Sequence, residues 1–197
     1  MITIGLTGSI GMGKSAVAAM FADAGIPVFD SDATVHRLQG VGGRLVPVIE
    51  AAFPGTTVDN MVDRAALGAA VFGDDDAIRR LEAIVHPAVR EEREAFIARH
   101  AAAPIVMFDV PLLFETGGEA GVDVIVVVSA AADVQRARVL ARPGMTAAKF
   151  AQILARQTPD ADKRARADYV IATDISFDET RTRVAEVIAC VRAREGG

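Results

Sequence analysis

The sequence predicts an α/β chain with a five-stranded, mostly parallel sheet covered by helices on both faces. Three observations carry this expectation. Short apolar runs alternate with longer helical stretches along the chain. Several runs are nearly unbroken Val and Ile, such as Val122–Val128, which suits strands with no solvent face. The first run, Ile2–Thr7, also passes through a glycine-rich turn straight into a helical stretch.

The elements follow in order. The strand Ile2–Thr7 leads to a helix at Lys14–Ala24, and a second strand follows at Pro27–Phe29. Helical stretches run over Ala33–Leu38, Arg44–Phe53, Asp63–Phe72 and Asp75–Val85, and a new helix is expected to begin at Pro87 and continue to Ala101. Strands return at Ile105–Phe108 and Val122–Val128, helices at Asp133–Ala141 and Ala147–Thr158, and the last strand at Tyr169–Ile171. In the closing helix, Asp178–Ala193, residues Val184, Val187, Ile188 and Val191 fall at helical spacing, so one face should pack. The gap between the second and third strands far exceeds one crossover helix, so residues 33–103 should form a helical insertion. The core would then comprise residues 1–32, 104–138 and 165–197, with a basic excursion at 139–164 between the last two strands.

Composition narrows the function. The 197 residues are 51% hydrophobic and 24% charged, the balance of a globular chain. A net charge of −5 gives no overall field for nucleic acid or an anionic membrane, so a polyanionic ligand must meet local cations. Cys190 is the single cysteine, which excludes an internal disulfide, and no Cys/His cluster suggests zinc. Met1–Ser15 does not read as a signal peptide and no apolar run is long enough to span a bilayer. The expectation is a cytoplasmic protein with no nucleic-acid, membrane or obligatory protein partner.

The glycine-rich turn carries the chemistry. Gly8-Ser9-Ile10-Gly11-Met12-Gly13-Lys14-Ser15 matches the phosphate-binding pattern G-x-x-x-x-G-K-[ST] between a strand and a helix. Glycines at 8, 11 and 13 let backbone N–H groups turn toward phosphate oxygens, and the following helix adds its positive end. Residues Gly8, Gly11, Met12, Gly13, Lys14, Ser15 and Ala16 are therefore expected to hold ATP. Lys14 would supply charge to the β- and γ-phosphates, and the Ser15 hydroxyl would ligate Mg2+.

Among phosphate-loop proteins, a GTPase would carry an Asn-Lys-x-Asp motif, which is absent. A regulatory ATPase would usually follow its third strand with an Asp-Glu pair, whereas Val110 and Pro111 follow Asp109. A small-molecule kinase remains, and it needs a base and a cationic lid. Asp30-Ser31-Asp32, just after the second strand, offers two acids at the end of the sheet where ligands bind. One reading makes Asp32 the base that accepts the acceptor proton, with Asp30 serving Mg2+ through water. The other makes Ser31 or Asp32 an ordinary helix cap. The lid candidate, 139–164 with its flanks, carries Arg136, Arg138, Arg142, Lys149, Arg156, Lys163, Arg164 and Arg166, most of which an ordinary solvated face would also explain.

Together these segments resemble the dephospho-coenzyme A kinase family over nearly the whole chain. The resemblance rests on Gly5–Ser15, on Asp30-Ser31-Asp32 with His36 and Leu38, on Asp63-Arg64 to Val71-Phe72, and on Leu81 to Pro87. It continues through Pro111-Leu112-Leu113-Phe114-Glu115, Gln135-x-x-Arg138, Arg142, Arg156-Gln157 and Ala167–Ile171. It implies a P-loop kinase core, a helical acceptor-binding insertion and a helical lid. It further implies phosphorylation of the ribose 3′-hydroxyl of dephospho-coenzyme A by ATP with Mg2+. Asp32, Lys14 and Arg142 would be catalytic. Asp32, His86, Leu113, Phe114 and Arg138 would contact the acceptor, although His86 also reads as a helix cap and Leu113 and Phe114 as core. The chain departs from the family at Ala172-Thr173-Asp174, where an Asn is usual, at Met12, where a small residue is usual, and at Ala16, where Thr is usual. Asp109 is assigned no role. Two other classes compete: a P-loop kinase acting on a nucleoside monophosphate or a sugar, and a nucleotide-dependent binding protein without turnover.

Overall fold

The computed structural model describes residues 1–194; the last three residues of the expected core segment lie outside that range. The chain divides into two compact units. One comprises Met1–Phe29 with the chain from His100 onward, and the other Asp30–Arg99. The second differs by a few residues from the expected insertion, 33–103, because its first helix begins at Ser31 and its last ends at Arg99. The basic segment 139–164 belongs to the first unit.

The chain enters through β1 (Ile2–Thr7) and α1 (Lys14–Asp23), then β2 (Val28–Asp30). The second unit follows as α2 (Ser31–Gln39), α3 (Val46–Ala52), β3 (Thr57–Val58), β4 (Met61–Val62), α4 (Arg64–Val71) and α5 (Asp75–Arg99). The chain returns to the first unit with β5 (Ile105–Asp109), a short 3-10 turn at Gly118–Gly121, and β6 (Val124–Ser129). It finishes with α6 (Ala132–Leu140), α7 (Ala147–Ala155), α8 (Asp160–Ala165), β7 (Tyr169–Ala172) and α9 (Phe177–Arg194).

The five-stranded sheet has the order β2-β5-β1-β6-β7. Parallel pairing on both sides of β1 sets Leu6 opposite Asp109 and Val126, and β7 runs parallel to β6. The chain thus crosses from one side of β1 to the other, which places the loop after β1 at the topological switch of the sheet. Ile4, Leu6, Met107, Val126 and Val128 pack with Val17 and Phe21 of α1 and Val184, Val187, Ile188 and Val191 of α9 in one core. Each such side chain contributes about 2 kcal/mol by leaving water. That core fixes both ends of the phosphate-binding turn.

The second unit has its own core, built from Leu38, Leu45, Val46, Ile49, Phe53, Val62 and Leu67 against Ala77 and Ala88 of α5. Glu91 and Glu92 of α5 receive Arg44 at 2.5 Å and Arg37 at 2.6 Å. Two differences from the sequence reading stand out here. The expected break before Pro87 is absent: α5 runs unbroken from Asp75 to Arg99 with Pro87 inside it. A proline there forfeits one helical hydrogen bond, and burial of Ala88 and Phe96 on the same helix offsets the loss. The β3–β4 hairpin was not expected; its turn, Asp59-Asn60, has φ of 50° and 59°, the left-handed pair that tight hairpins require. Among the described residues no helix is long and apolar enough to cross a membrane.

Candidate active site

The loop after β1 is shaped by its glycines. Gly11 and Gly13 lie at φ of 80° and 86°. A side chain at Gly11 would meet Val139 at 2.4 Å, and one at Gly13 would meet Thr173 at 3.1 Å. Gly13 caps α1 with no side-chain hydrogen bond, so the positive end of the helix is left open to a ligand. Within the loop, Met12 N–H donates to Ser9 O at 3.1 Å, and Ala16 N–H donates back to Gly13 O at 3.1 Å. The amides of Gly11, Gly13, Lys14 and Ser15 meet no protein acceptor among the described residues, which is the donor bowl a polyphosphate needs. Met12 is buried, and its thioether Sδ accepts from Ala130 N–H at 3.1 Å.

Lys14 is held, not free. Its ammonium pairs with the carboxylate of Asp109 at the carboxyl end of β5. The lysine side chain keeps 17% exposure and the aspartate 6%, so the pair sits at the rim of the site. Sequence reasoning left Asp109 without a role; the sequence shows an acid ending an apolar strand, and only the order of the sheet sets that strand beside the one that feeds the phosphate loop. Ser15 stands exposed in the first turn of α1.

The acid pair resolves into two different residues. Asp30 caps α2 by accepting from Ala33 N–H at 2.8 Å. The alternative reading, in which Ser31 or Asp32 caps, does not hold: Ser31 already opens the helix, and extended backbone at Asp30 aims its own carboxylate at the first turn. Asp32 lies in that first turn with no capping duty. His86 is exposed inside α5, so it caps no helix. His36, Gln39, Val58, Met61, Asp63 and Arg64 line a cleft of about 410 Å3 within the second unit.

The cations of the basic segment separate by partner. Lys163 is completely buried against Glu115 at 2.9 Å, Arg164 pairs with Asp160 at 3.0 Å, and Arg166 pairs with Glu119 while lying 4.2 Å over the Phe114 ring. Lys163 and Arg166 tie α8 and its C-terminal end to the segment after β5, whereas the Arg164–Asp160 pair lies within α8 itself. Arg138 donates to Thr173 O at 2.6 Å and Thr173 Oγ1 at 3.1 Å. Arg136, Arg142 and Arg156 are exposed and have no carboxylate partner among the described residues. Burial pushes the Glu115 carboxyl up, but Lys163 and the Thr158 N–H outweigh it and leave the group below its ordinary range. Leu113 and Phe114 are buried, with Leu113 against Gly5 and Gly118, which is core packing.

A phosphate loop at the switch point of a parallel sheet, with its lysine poised at the rim and unpaired arginines beyond it, defines a P-loop kinase. Solved structures agree at the level of fold: a shikimate kinase from Acinetobacter baumannii superposes with a TM-score of 0.55 at 16% identity, over 98% of this chain and 94% of that one. Likeness in sequence goes further. The profile of the dephospho-CoA kinase family matches residues 2–179, and the chain belongs to that family. The dephospho-CoA kinase of Novosphingobium aromaticivorans is 62% identical over 97% of this chain and 95% of that protein. The one from Mesorhizobium japonicum is 57% identical over the full length of both. A solved structure from Thermus thermophilus superposes with a TM-score of 0.86 at 34% identity, over 96% of each chain.

Proposed function

We propose that this kinase phosphorylates the ribose 3′-hydroxyl of dephospho-coenzyme A with ATP, giving coenzyme A and ADP. The observation that carries the reading is the family match over residues 2–179 of a chain whose phosphate loop is intact. In the reaction the 3′-hydroxyl oxygen bonds to the γ-phosphorus, and the bond from that phosphorus to the β-phosphate oxygen breaks. The hydroxyl proton passes to the Asp32 carboxylate. Lys14 exchanges Asp109 for phosphate and follows the transferring group into the transition state, where its charge counts most. Arg142, unpaired at the end of α6, supplies further positive charge. Arg138, held by Thr173, contacts the acceptor. The cleft that gathers His36, Asp63 and Arg64 receives the acceptor, and 139–164 acts as the lid that excludes water.

Mg2+ fits the donor set in one specific way. Among the described residues no three acids or histidines converge to cage a metal. A cation here therefore needs phosphate oxygens beside the Ser15 hydroxyl, the habit of Mg2+ in nucleotide sites. When bound, it neutralises charge on the β- and γ-phosphates. Asp30, with one oxygen engaged in capping, would reach it through water. The reaction belongs in the cytoplasm.

Two measurements test the reading. Incubation with Mg-ATP and dephospho-coenzyme A should yield coenzyme A by mass spectrometry; faster turnover of shikimate or a sugar would overturn the acceptor assignment. Asp32→Asn should lower turnover roughly a hundredfold or more while leaving melting temperature and ATP affinity unchanged, because Asp30 and not Asp32 caps α2. Parental turnover in that variant would remove Asp32 from the mechanism.

A further inference from the structure

A loop that turns its N–H groups toward a ligand must turn its carbonyls toward protein, where each buried oxygen needs a donor. Backbone satisfies only part of this loop: Ser9 O takes Met12 N–H, and Gly13 O takes Ala16 N–H. Two further carbonyls and one N–H of the loop are met by three side chains that take no part in the chemistry described above. Gln135 of α6 donates to Ile10 O at 2.8 Å. Gln157, between α7 and α8, accepts from Ile10 N–H at 3.1 Å. Thr173, directly after β7, donates from Oγ1 to Met12 O at 2.7 Å.

Thr173 is the tightest of these points. Its hydroxyl has one proton and two carbonyls in reach, Met12 O at 2.7 Å and Ser129 O at 3.4 Å; with Arg138 donating to the oxygen at 3.1 Å, the proton goes to the nearer, Met12 O. The same side chain packs against the face of Gly13 that lacks a Cβ. Gln135 and Thr173 are both buried, and the bond from Thr173 to the buried Met12 is shut off from water as a substitute donor.

We propose that Gln135, Gln157 and Thr173 are positioning residues that clasp the phosphate loop in its nucleotide-binding form before the nucleotide arrives. The inference rests on the reading of this loop as the ATP site. Releasing a point of the clasp lets the loop sample other conformations, and apparent nucleotide affinity falls with the fraction that remains competent. The acceptor sees no such change.

The test uses the full chain and ADP as the binding probe. By titration calorimetry, Thr173→Val, which keeps the shape and removes the hydroxyl, should bind ADP roughly tenfold more weakly, as should Gln135→Met and Gln157→Met. Thr173→Ser should restore parental binding, because it returns the hydroxyl without the methyl. In turnover, KM for ATP should rise by the same factor, with KM for dephospho-coenzyme A and kcat nearly unchanged. Hydrogen exchange at the Met12 N–H, which is bonded to Ser9 O, should be faster in Thr173→Val than in Thr173→Ser. Parental ADP affinity in all three removal variants, or equal rises in both KM values, would overturn the clasp while leaving the ATP site intact. A parent protein that fails to bind ADP would overturn the ATP-site reading and the clasp with it.

Discussion

Two lysines in this chain meet carboxylates from the same stretch of sequence, and they are built for opposite purposes. Lys14 pairs with Asp109 at the end of β5 and keeps 17% of its side chain exposed. Lys163 pairs with Glu115, six residues further on, and keeps none. A lysine that must trade its carboxylate for a phosphate cannot be sealed, because an arriving anion has to reach it. A lysine that ties α8 to the segment after β5 has no such need, and its desolvated pair tolerates the loss of neither partner. Accessibility, not charge or partner type, separates the working cation from the structural one. The arginines divide by partner instead: Arg164 and Arg166, each about half exposed, are bound to acids, whereas Arg142 and Arg156 have no acid partner among the described residues.

The largest expected effect is on stability. Lys163→Met fills similar volume but strands the Glu115 carboxylate with the Thr158 N–H as its remaining named partner. Denaturant unfolding should show a loss of about 3 kcal/mol. The double variant Lys163→Met with Glu115→Met should recover most of it, since two apolar groups can replace a buried pair. Parental stability in the single variant would break the distinction between the two lysines.

Lys14→Ala should reverse the pattern. Turnover should fall roughly a hundredfold or more, while melting temperature falls less than in Lys163→Met. The activity loss follows from missing charge on the transferring phosphoryl group, and the milder stability loss from an ion pair at the rim. A folded Lys14→Ala variant that turns over like the parent would remove the loop from the mechanism.

What the sequence revealed of this site follows the same division. The loop from Gly8 to Ser15 was legible because its chemistry is local: a fixed spacing of glycines, a lysine and a hydroxyl between a strand and a helix. The five strands were legible because runs such as Val124–Val128 repeat a burial pattern along the chain. Pairings across long separations were not. Nothing near Asp109 in sequence announces Lys14, and the role of Thr173 depends on Met12, which is distant in sequence and adjacent only through the order of the sheet. The basic segment read as one cationic group because charge shows in a sequence and partners do not; three of its members pair with acids, and of these Lys163 is buried. Pro87 misled for a related reason, since local propensity favours a break that the core of the second unit overrides.

The smallest effect is the most specific. Glu115 is held below its ordinary carboxyl range because the Lys163 ammonium and the Thr158 N–H outweigh the burial that would raise it. A carboxylate with a depressed folded-state pKa contributes stability above its unfolded value, near 4.5. That contribution drains away as pH falls through the folded value. Glu115→Gln keeps the shape and cannot ionise, so it is insensitive to this titration. The parent should therefore melt above Glu115→Gln at pH 6 to 8, and the gap should narrow below about pH 4 as Glu115 takes up its proton. Narrowing toward alkaline pH instead would mean that protonation of Glu115 is not what ends the pair. A constant gap would mean that the hydrogen bonds hold α8 without any help from charge.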